Sequence, residues 1–461
     1  MFYLSLVKRV FVVFCLLSLF FIDAHSTTPA KVLKKDVTFQ KVQEEKYDNA
    51  TVPVAFGSVV SNGREQIYPK VILLPDKEVR FLDENGEVLT RKPLVHREYI
   101  ESETFRGRGF ILSKKGNFVG IHDYIGKVGD PSDYLINEEY TICNDKGEEI
   151  YKIKIPQEGK SMEDQFVISD KDGSAVGTRI QYGAIDFYHP DGSVKTVPLF
   201  GELGWGLREG YVNFSGDGEY LALLMEEIPE SKRKLHPVKG DLWIMLFDIN
   251  GNVQWRRKVD EHQLNVQHPE KIAISEHGEY LAFKAYTIER ESTGKIGKIL
   301  PRKGDSRLLT SVTLSIYDKE GKELSLKDTS LYIFNYFRFS PKADYLAMAG
   351  DNIIRLMSTK DGSIMFEKEL QKDFSIRELL FCSDGEHLIV RAKAVRGKEK
   401  VLESTGGFEQ DIRVYTHRFS IFTIKGDKIW QNDYSDFRKI FSVGRFLVLS
   451  FPDRYEILKK D

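Results

Sequence analysis

Apolar and polar positions alternate along this chain in short runs that keep breaking at glycine. In 214–222 (F-S-G-D-G-E-Y-L-A) an apolar residue enters a polar turn, a glycine closes it, and a second apolar run leaves. The phrase returns at 112–120 (L-S-K-K-G-N-F-V-G), 274–282 (I-S-E-H-G-E-Y-L-A), 339–347 (F-S-P-K-A-D-Y-L-A) and 381–389 (F-C-S-D-G-E-H-L-I). A second phrase alternates with it, as in 81–89 (F-L-D-E-N-G-E-V-L), 142–150 (I-C-N-D-K-G-E-E-I), 246–255 (L-F-D-I-N-G-N-V-Q-W) and 422–430 (F-T-I-K-G-D-K-I-W). Each phrase predicts a β-hairpin, because the turn needs positive φ and Gly, Asn and Asp adopt it at least cost. No apolar series of useful length recurs at helical spacing.

The strands of the first phrase are a and b, those of the second c and d. The a–b turns fall at Gly116, Gly173, Gly218, Gly278, Ala343, Gly385 and, in weaker form, Gly444. The c–d turns fall at Gly86, Gly147, Gly192, Gly251, Gly321, Gly362 and Gly426, so the two series interleave. Repeating four-strand units at this period predict an all-β fold, a β-propeller of four-stranded antiparallel blades. From each c–d turn to the next a–b turn the distance stays between 18 and 30 residues, whereas from a–b to c–d it runs 31, 19, 33, 43, 19 and 41. The variable length therefore lies between strands b and c. In an antiparallel meander the b–c and d–a connections emerge on one face and the tight turns on the other, so one face is trimmed and the other elaborated. Seven blades are expected, with N- and C-terminal strands sharing one blade and closing the ring; an eighth blade built from 52–91 is the alternative.

F-S-x-D-G-x-Y-L-A resembles the WD-type and TolB-type propeller repeat, and the aromatics four residues after a c–d glycine (Tyr151, Trp255, Phe366, Trp430) resemble those of quinoprotein-like propellers. The resemblance spans about residues 80–450 and implies a fold without implying a function. The Gly-His and Trp-Asp dipeptides of eukaryotic WD repeats are absent.

Composition changes this picture only at the start of the chain. Lys8 and Arg9 precede an apolar run at 10–22, and Ala24-His25-Ser26 offers small residues at the positions a signal peptidase reads. Residues 1–26 are thus expected to be a signal peptide, and the protein exported, periplasmic or extracellular; an uncleaved signal anchor is the alternative, for which the run is short. The charged segment 27–50 is read as a flexible tail and 51–461 as a single propeller domain. Cys143 and Cys382 remain after cleavage, in different repeats, and are expected to be buried free thiols. The net charge of −2 over 461 residues argues against nucleic acid as partner.

Candidate chemistry is sparse. G-x-S-x-G, H-E-x-x-H, C-x-x-C and a Walker-type loop are missing. The D-x-x-G turns read as aspartates capping their own turns rather than calcium loops. His262 and His268 read as inert loop residues, His122-Asp123 as a solvated strand end, and Asp164 and Glu270 as solvated strand starts. No metal, cofactor or catalytic residue is expected. The lead is a set of basic b–c insertions: Lys232, Arg233, Lys234 and His236 in the first; Lys295, Lys298, Arg302, Lys303 and Arg307 in the second; Lys393, Arg396, Lys398 and Lys400 in the third, at 393–413. Three basic loops on one face of a slightly acidic protein point to an anionic glycan or lipid surface, or an acidic protein patch. The expectation is a non-catalytic binding platform without a transmembrane helix in the mature chain. The alternatives are an enzyme of glycosidase, lyase or lactonase type working at the central channel, and a structural domain tethered by 27–50.

Overall fold

The structure is a computed structural model that describes residues 39–46, 52–61, 64–74, 77–101, 104–127, 134–155, 166–179, 183–199, 206–228, 241–259, 272–288, 309–327, 334–402, 409–437, 439–443, 446–451 and 454–460. Every regular element among them is a β-strand. The strands form eight antiparallel sheets, the eight blades of a propeller. In chain order the blades occupy 52–93, 95–155, 166–198, 206–259, 272–327, 336–369, 375–434 and, for the last, 439–460 joined by 39–46.

Two expectations change here. The ring has eight blades rather than seven, because 52–93 builds a complete blade whose a–b hairpin runs from Val52–Ser61 to Arg64–Leu74. The C-terminal strands a, b and c of blade 8 (Lys439–Val443, Phe446–Ser450, Arg454–Lys460) take their d strand from Phe39–Lys46, inside the segment read as a tail. That strand reads F-Q-K-V-Q-E-E-K, and an outermost strand has little apolar surface to show in sequence. Blade 2 carries a fifth strand, Val95–Glu101, which pairs with its strand a, Thr104–Leu112.

The turn glycines behave as the repeats demand. Thirteen glycines have positive φ, twelve of them the predicted turn positions, and Ala343 keeps the same conformation at φ 58. Gly444 lies outside the described residues. The D-x-x-G reading also holds: Asp83 Oδ1 accepts from the N–H of Asn85 and Glu87 at 2.9 and 2.8 Å, and these bonds hold its carboxyl below the usual range.

The core lies between the faces of successive blades. Val176, Ile185 and Phe187 of blade 3 meet Leu221, Leu223 and Phe247 of blade 4. The same arrangement joins Phe56 and Ile67 of blade 1 to Phe446, Val448 and Ile457 of blade 8, which closes the ring. Each fully buried Phe contributes about 1.5–3 kcal/mol by leaving water. The c–d turns add a socket: a Cβ at Gly147 would lie 2.7 Å from the Phe81 ring of the preceding blade, and one at Gly321 3.1 Å from Trp255. Only glycine gives both the turn and the room. Cys143 and Cys382 are buried free thiols.

Candidate anion-binding recess

Of the basic insertions, the first two (228–239 and 288–307) lie outside the described residues except for Ile228 and Ile288, which end strands, and Lys232, Arg233, Lys234, His236, Lys295, Lys298, Arg302, Lys303 and Arg307 lie outside with the rest. So do His262, His268, Asp164 and Glu270. The third insertion is corrected from loop to strand. Strand b of blade 7 runs His387–Leu402 and strand c Glu409–Thr423, paired from His387↔Thr423 to Leu402↔Glu409. Strand a (Ser375–Phe381) stops flanking this hairpin at Ser375↔Lys393, and strand d (Lys428–Tyr434) at His417↔Tyr434. Beyond that level the hairpin continues as a two-stranded arm rising about 3.3 Å per residue. Lys393 stands at its root, while Arg396, Lys398 and Lys400 lie along it.

The root of the arm gathers charge. Strand pairing sets Glu378 beside Arg391 and sets Lys393 between Ser375 and His417. Arg391 donates from Nε to Glu378 at 2.9 Å, lies over the Phe437 ring at 5.0 Å, and brings Nη1 within 3.4 Å of His417 Nδ1. With Nδ1 accepting from a guanidinium, the imidazole proton sits on Nε2. Burial, then Arg391 and Lys393, push the His417 pKa down to about 3, so the ring is neutral at physiological pH. Lys393 Nζ lies 3.3 Å from the Tyr415 ring centroid. Burial holds its amine below the ordinary value, and Arg377 and Arg391 push the same way. From the neighbouring blade, Lys439 is the first residue of strand a, with Nζ 5.1 Å from the Phe441 ring centroid. It touches solvent, yet burial depresses its amine, opposed by Glu378. Glu378 thus faces cations on two neighbouring blades, Arg391 and Lys439.

Two other half-buried arginines close to a blade face are paired: Arg418 forks onto Asp433 at 2.8 and 2.7 Å, and Arg355 meets Glu367 at 2.6 Å. At the root of the arm Arg391 holds Glu378, which also acts on Lys439, while the charges acting on Lys393 come from Arg377 and Arg391. The charges acting on Lys393 are both like its own. Cations gathered this way raise the local potential and favour an anion that brings the missing charge. Sequence reasoning found Lys393 through its loop but missed Arg377, Arg391 and Lys439, because three strands from two blades bring them together.

His122 is corrected as well. It is not a solvated strand end: its ring stacks on Tyr140 at 4.3 Å, Tyr140 stacks on Phe166 of blade 3 at 3.9 Å, and Nε2 lies 2.7 Å from Glu138 Oε1. Asp123 pairs with Arg108.

No family model matches the chain, and no curated protein matches it. Among solved structures the chain is similar to a eukaryotic initiation factor, at 13% identity over 93% of this chain and 92% of that one, TM-score 0.41. It is also similar to hydrazine synthase of Kuenenia stuttgartiensis, at 14% identity over 75% and 92%, TM-score 0.38. A third is virginiamycin B lyase of Staphylococcus aureus, at 13% over 79% and 98%, TM-score 0.36. Enzymes and a non-enzyme stand side by side in that set, and likeness this remote carries nothing about function.

Proposed function

We propose that this protein is an exported, non-catalytic β-propeller platform that captures an anionic partner on the face bearing the b–c connections. The observation that supports the reading best is the charge cluster at blades 7 and 8, where among the described residues Arg377, Lys393 and Lys439 make no ion pair with a carboxylate. The arm above it adds to the case, since a two-stranded ribbon is marginal in water and gains order from what it contacts. Export is supported by the layout of residues 1–26. Among the described residues no helix is long and apolar enough to cross a membrane.

The test is retention of the mature protein on an immobilised sulfated glycan and on vesicles containing anionic phospholipid, at low and high salt. Binding that falls steeply with salt, and is lost in the double variant Arg377→Glu/Lys393→Glu, is the expected result. Retention unchanged in that variant, or an activity abolished by substituting a channel carboxylate while retention persists, would overturn the platform reading in favour of a channel enzyme.

A further inference from the structure

Blade 8 differs from the others in where its outer strand comes from. In blades 1 to 7 a c–d turn fastens strand d to strand c, whereas in blade 8 Phe39–Lys46 lies against Arg454–Lys460 from the other end of the described chain. The missing turn also loosens the seam with blade 7. The d-strand aromatics Trp255 and Phe366 are buried beneath the c–d glycine of the next blade, where a Cβ at Gly321 or Gly426 would stand 3.1 or 2.9 Å from the ring. Blade 8 has no such turn to set over Trp430 of blade 7, which is only half-buried.

Backbone pairing and charge hold Phe39–Lys46 in place. Of its 8 residues only Phe39 and Val42 are apolar, and the ladder shifts register between Lys41 and Gln43. Glu456 is the anchor, 6% exposed. Lys41 Nζ reaches its Oε1 at 3.2 Å, Arg454 donates from Nε to the same oxygen at 3.3 Å, and the Tyr434 hydroxyl donates to Oε2 at 3.3 Å. Arg454 Nε also stands 3.9 Å from Glu44, which pairs with Lys41. A strand held by main-chain bonds and complementary charge can be supplied by any chain that presents the same residues in the same register. A foreign strand would need a cation against Glu456 and an acid against Arg454; a second copy of this chain has both in place.

We infer that the edge Arg454–Lys460 is a strand-exchange site that takes Phe39–Lys46 from a second copy as it does from its own chain, so that two molecules close each other's rings reciprocally. Exchange keeps the ladder and the pairings of Lys41 with Glu456 and Glu44 with Arg454, and changes only which chain supplies them. The balance between closed monomer and exchanged dimer is then set by protein concentration and by the hinge. Five residues separate Lys46 from Val52, and short hinges invite exchange between copies. None of this needs the charge cluster at blades 7 and 8.

The experiment uses the full mature chain as two single variants, Gln40→Cys and Lys459→Cys, whose positions are opposite in the ladder at a spacing a disulfide spans. The two are mixed in equal amounts at high concentration, warmed to just below the thermal midpoint so that strands leave and return, then cooled and mildly oxidised. Cys143 and Cys382 are buried in both and give the same background. Chance collision links unlike chains no more often than like chains. Exchange should make the mixed disulfide dimer exceed the like-with-like dimers combined several-fold, and more so as concentration rises. A mixed dimer no more abundant than those together overturns the inference. Charge gives a second measurement that needs no cysteine. Lys41→Glu and Glu456→Lys each set like charges against one another within their own ring, but in an exchanged pair of the two variants both contacts join opposite charges. The mixture should therefore elute at twice the mass of either variant alone and melt higher than both, even where each alone folds poorly. A mixture that behaves as the sum of its parts in mass and midpoint refutes exchange.

Discussion

Blades 6 and 7 are neighbours built from the same phrases, and they differ at one connection. In blade 6, strands b and c (Tyr345–Gly350 and Ile353–Ser358) turn through Asp351 and Asn352 alone. In blade 7 the equivalent strands run for 16 and 15 residues before they turn. Their shared core, with Leu356 and Ala347 of one against Leu388 and Val390 of the other, is indifferent to the change. Charge is not. Blade 6 matches its buried Arg355 with Glu367 and lays it over Phe334 at 4.9 Å, while blade 7 sets Lys393 among arginines. The regular part of the repeat builds the ring, and departure from regularity places unbalanced charge.

The largest effect should separate the two kinds of cation by stability. Arg355→Ala removes a buried stem, a cation–π contact and an ion pair, and should cost about 2–3 kcal/mol. Lys393→Ala removes a charge with no carboxylate partner and should stay within about 0.5 kcal/mol. Urea midpoints of the two variants compare them directly; similar losses would erase the contrast.

Acid should act next, through His417. Its folded-state pKa is depressed, so between about 6.5 and 3 the unfolded chain binds more protons than the folded one. The stability it contributes is present above the unfolded value and is lost as pH falls through that window, at up to about 1.4 kcal/mol per pH unit for one group. His417→Gln should flatten the decline by that amount, measured as unfolding free energies at pH 7, 6 and 5. Parallel curves for parent and variant would mean that the ring is not held neutral.

The smallest effect belongs to the short turn of blade 6. Asp351 has φ 47, where a side chain costs energy that glycine avoids. Asp351→Gly should raise stability by roughly 0.5–1 kcal/mol and leave anion capture untouched. A loss of stability would show that its side chain matters beyond the turn.

These contrasts also mark what could be read in the residue string. The turn positions were legible to the residue, from Gly86 to Gly426 and including Ala343, because positive φ restricts residue choice more than any strand does. The blade count was not, because the evidence for the eighth blade is the pairing of Val52–Ser61 with Arg64–Leu74, which opens no repeated phrase, and a closing strand rich in Lys, Glu and Gln. The arm looked like a loop for a related reason: R-A-K-A-V-R-G-K-E-K has little β-propensity, and pairing along one long partner strand sets its conformation instead. The charge cluster at the root of the arm was out of reach, since strands a and b of blade 7 and strand a of blade 8 supply it and adjoin only in the folded ring.

The pairing of Phe39–Lys46 with Arg454–Lys460 has a consequence for how the protein is made. The earliest strand of the ring can find its partner only after every intervening blade has been synthesised. Until then one side of the growing molecule presents an unsatisfied edge and the other a strand without a sheet. Closure should be the slow, final step, paid for in the entropy of the longest loop the chain has. A chain that stalls before residue 454 would be left as an open arc, with both free ends available to pair with another copy in the same condition.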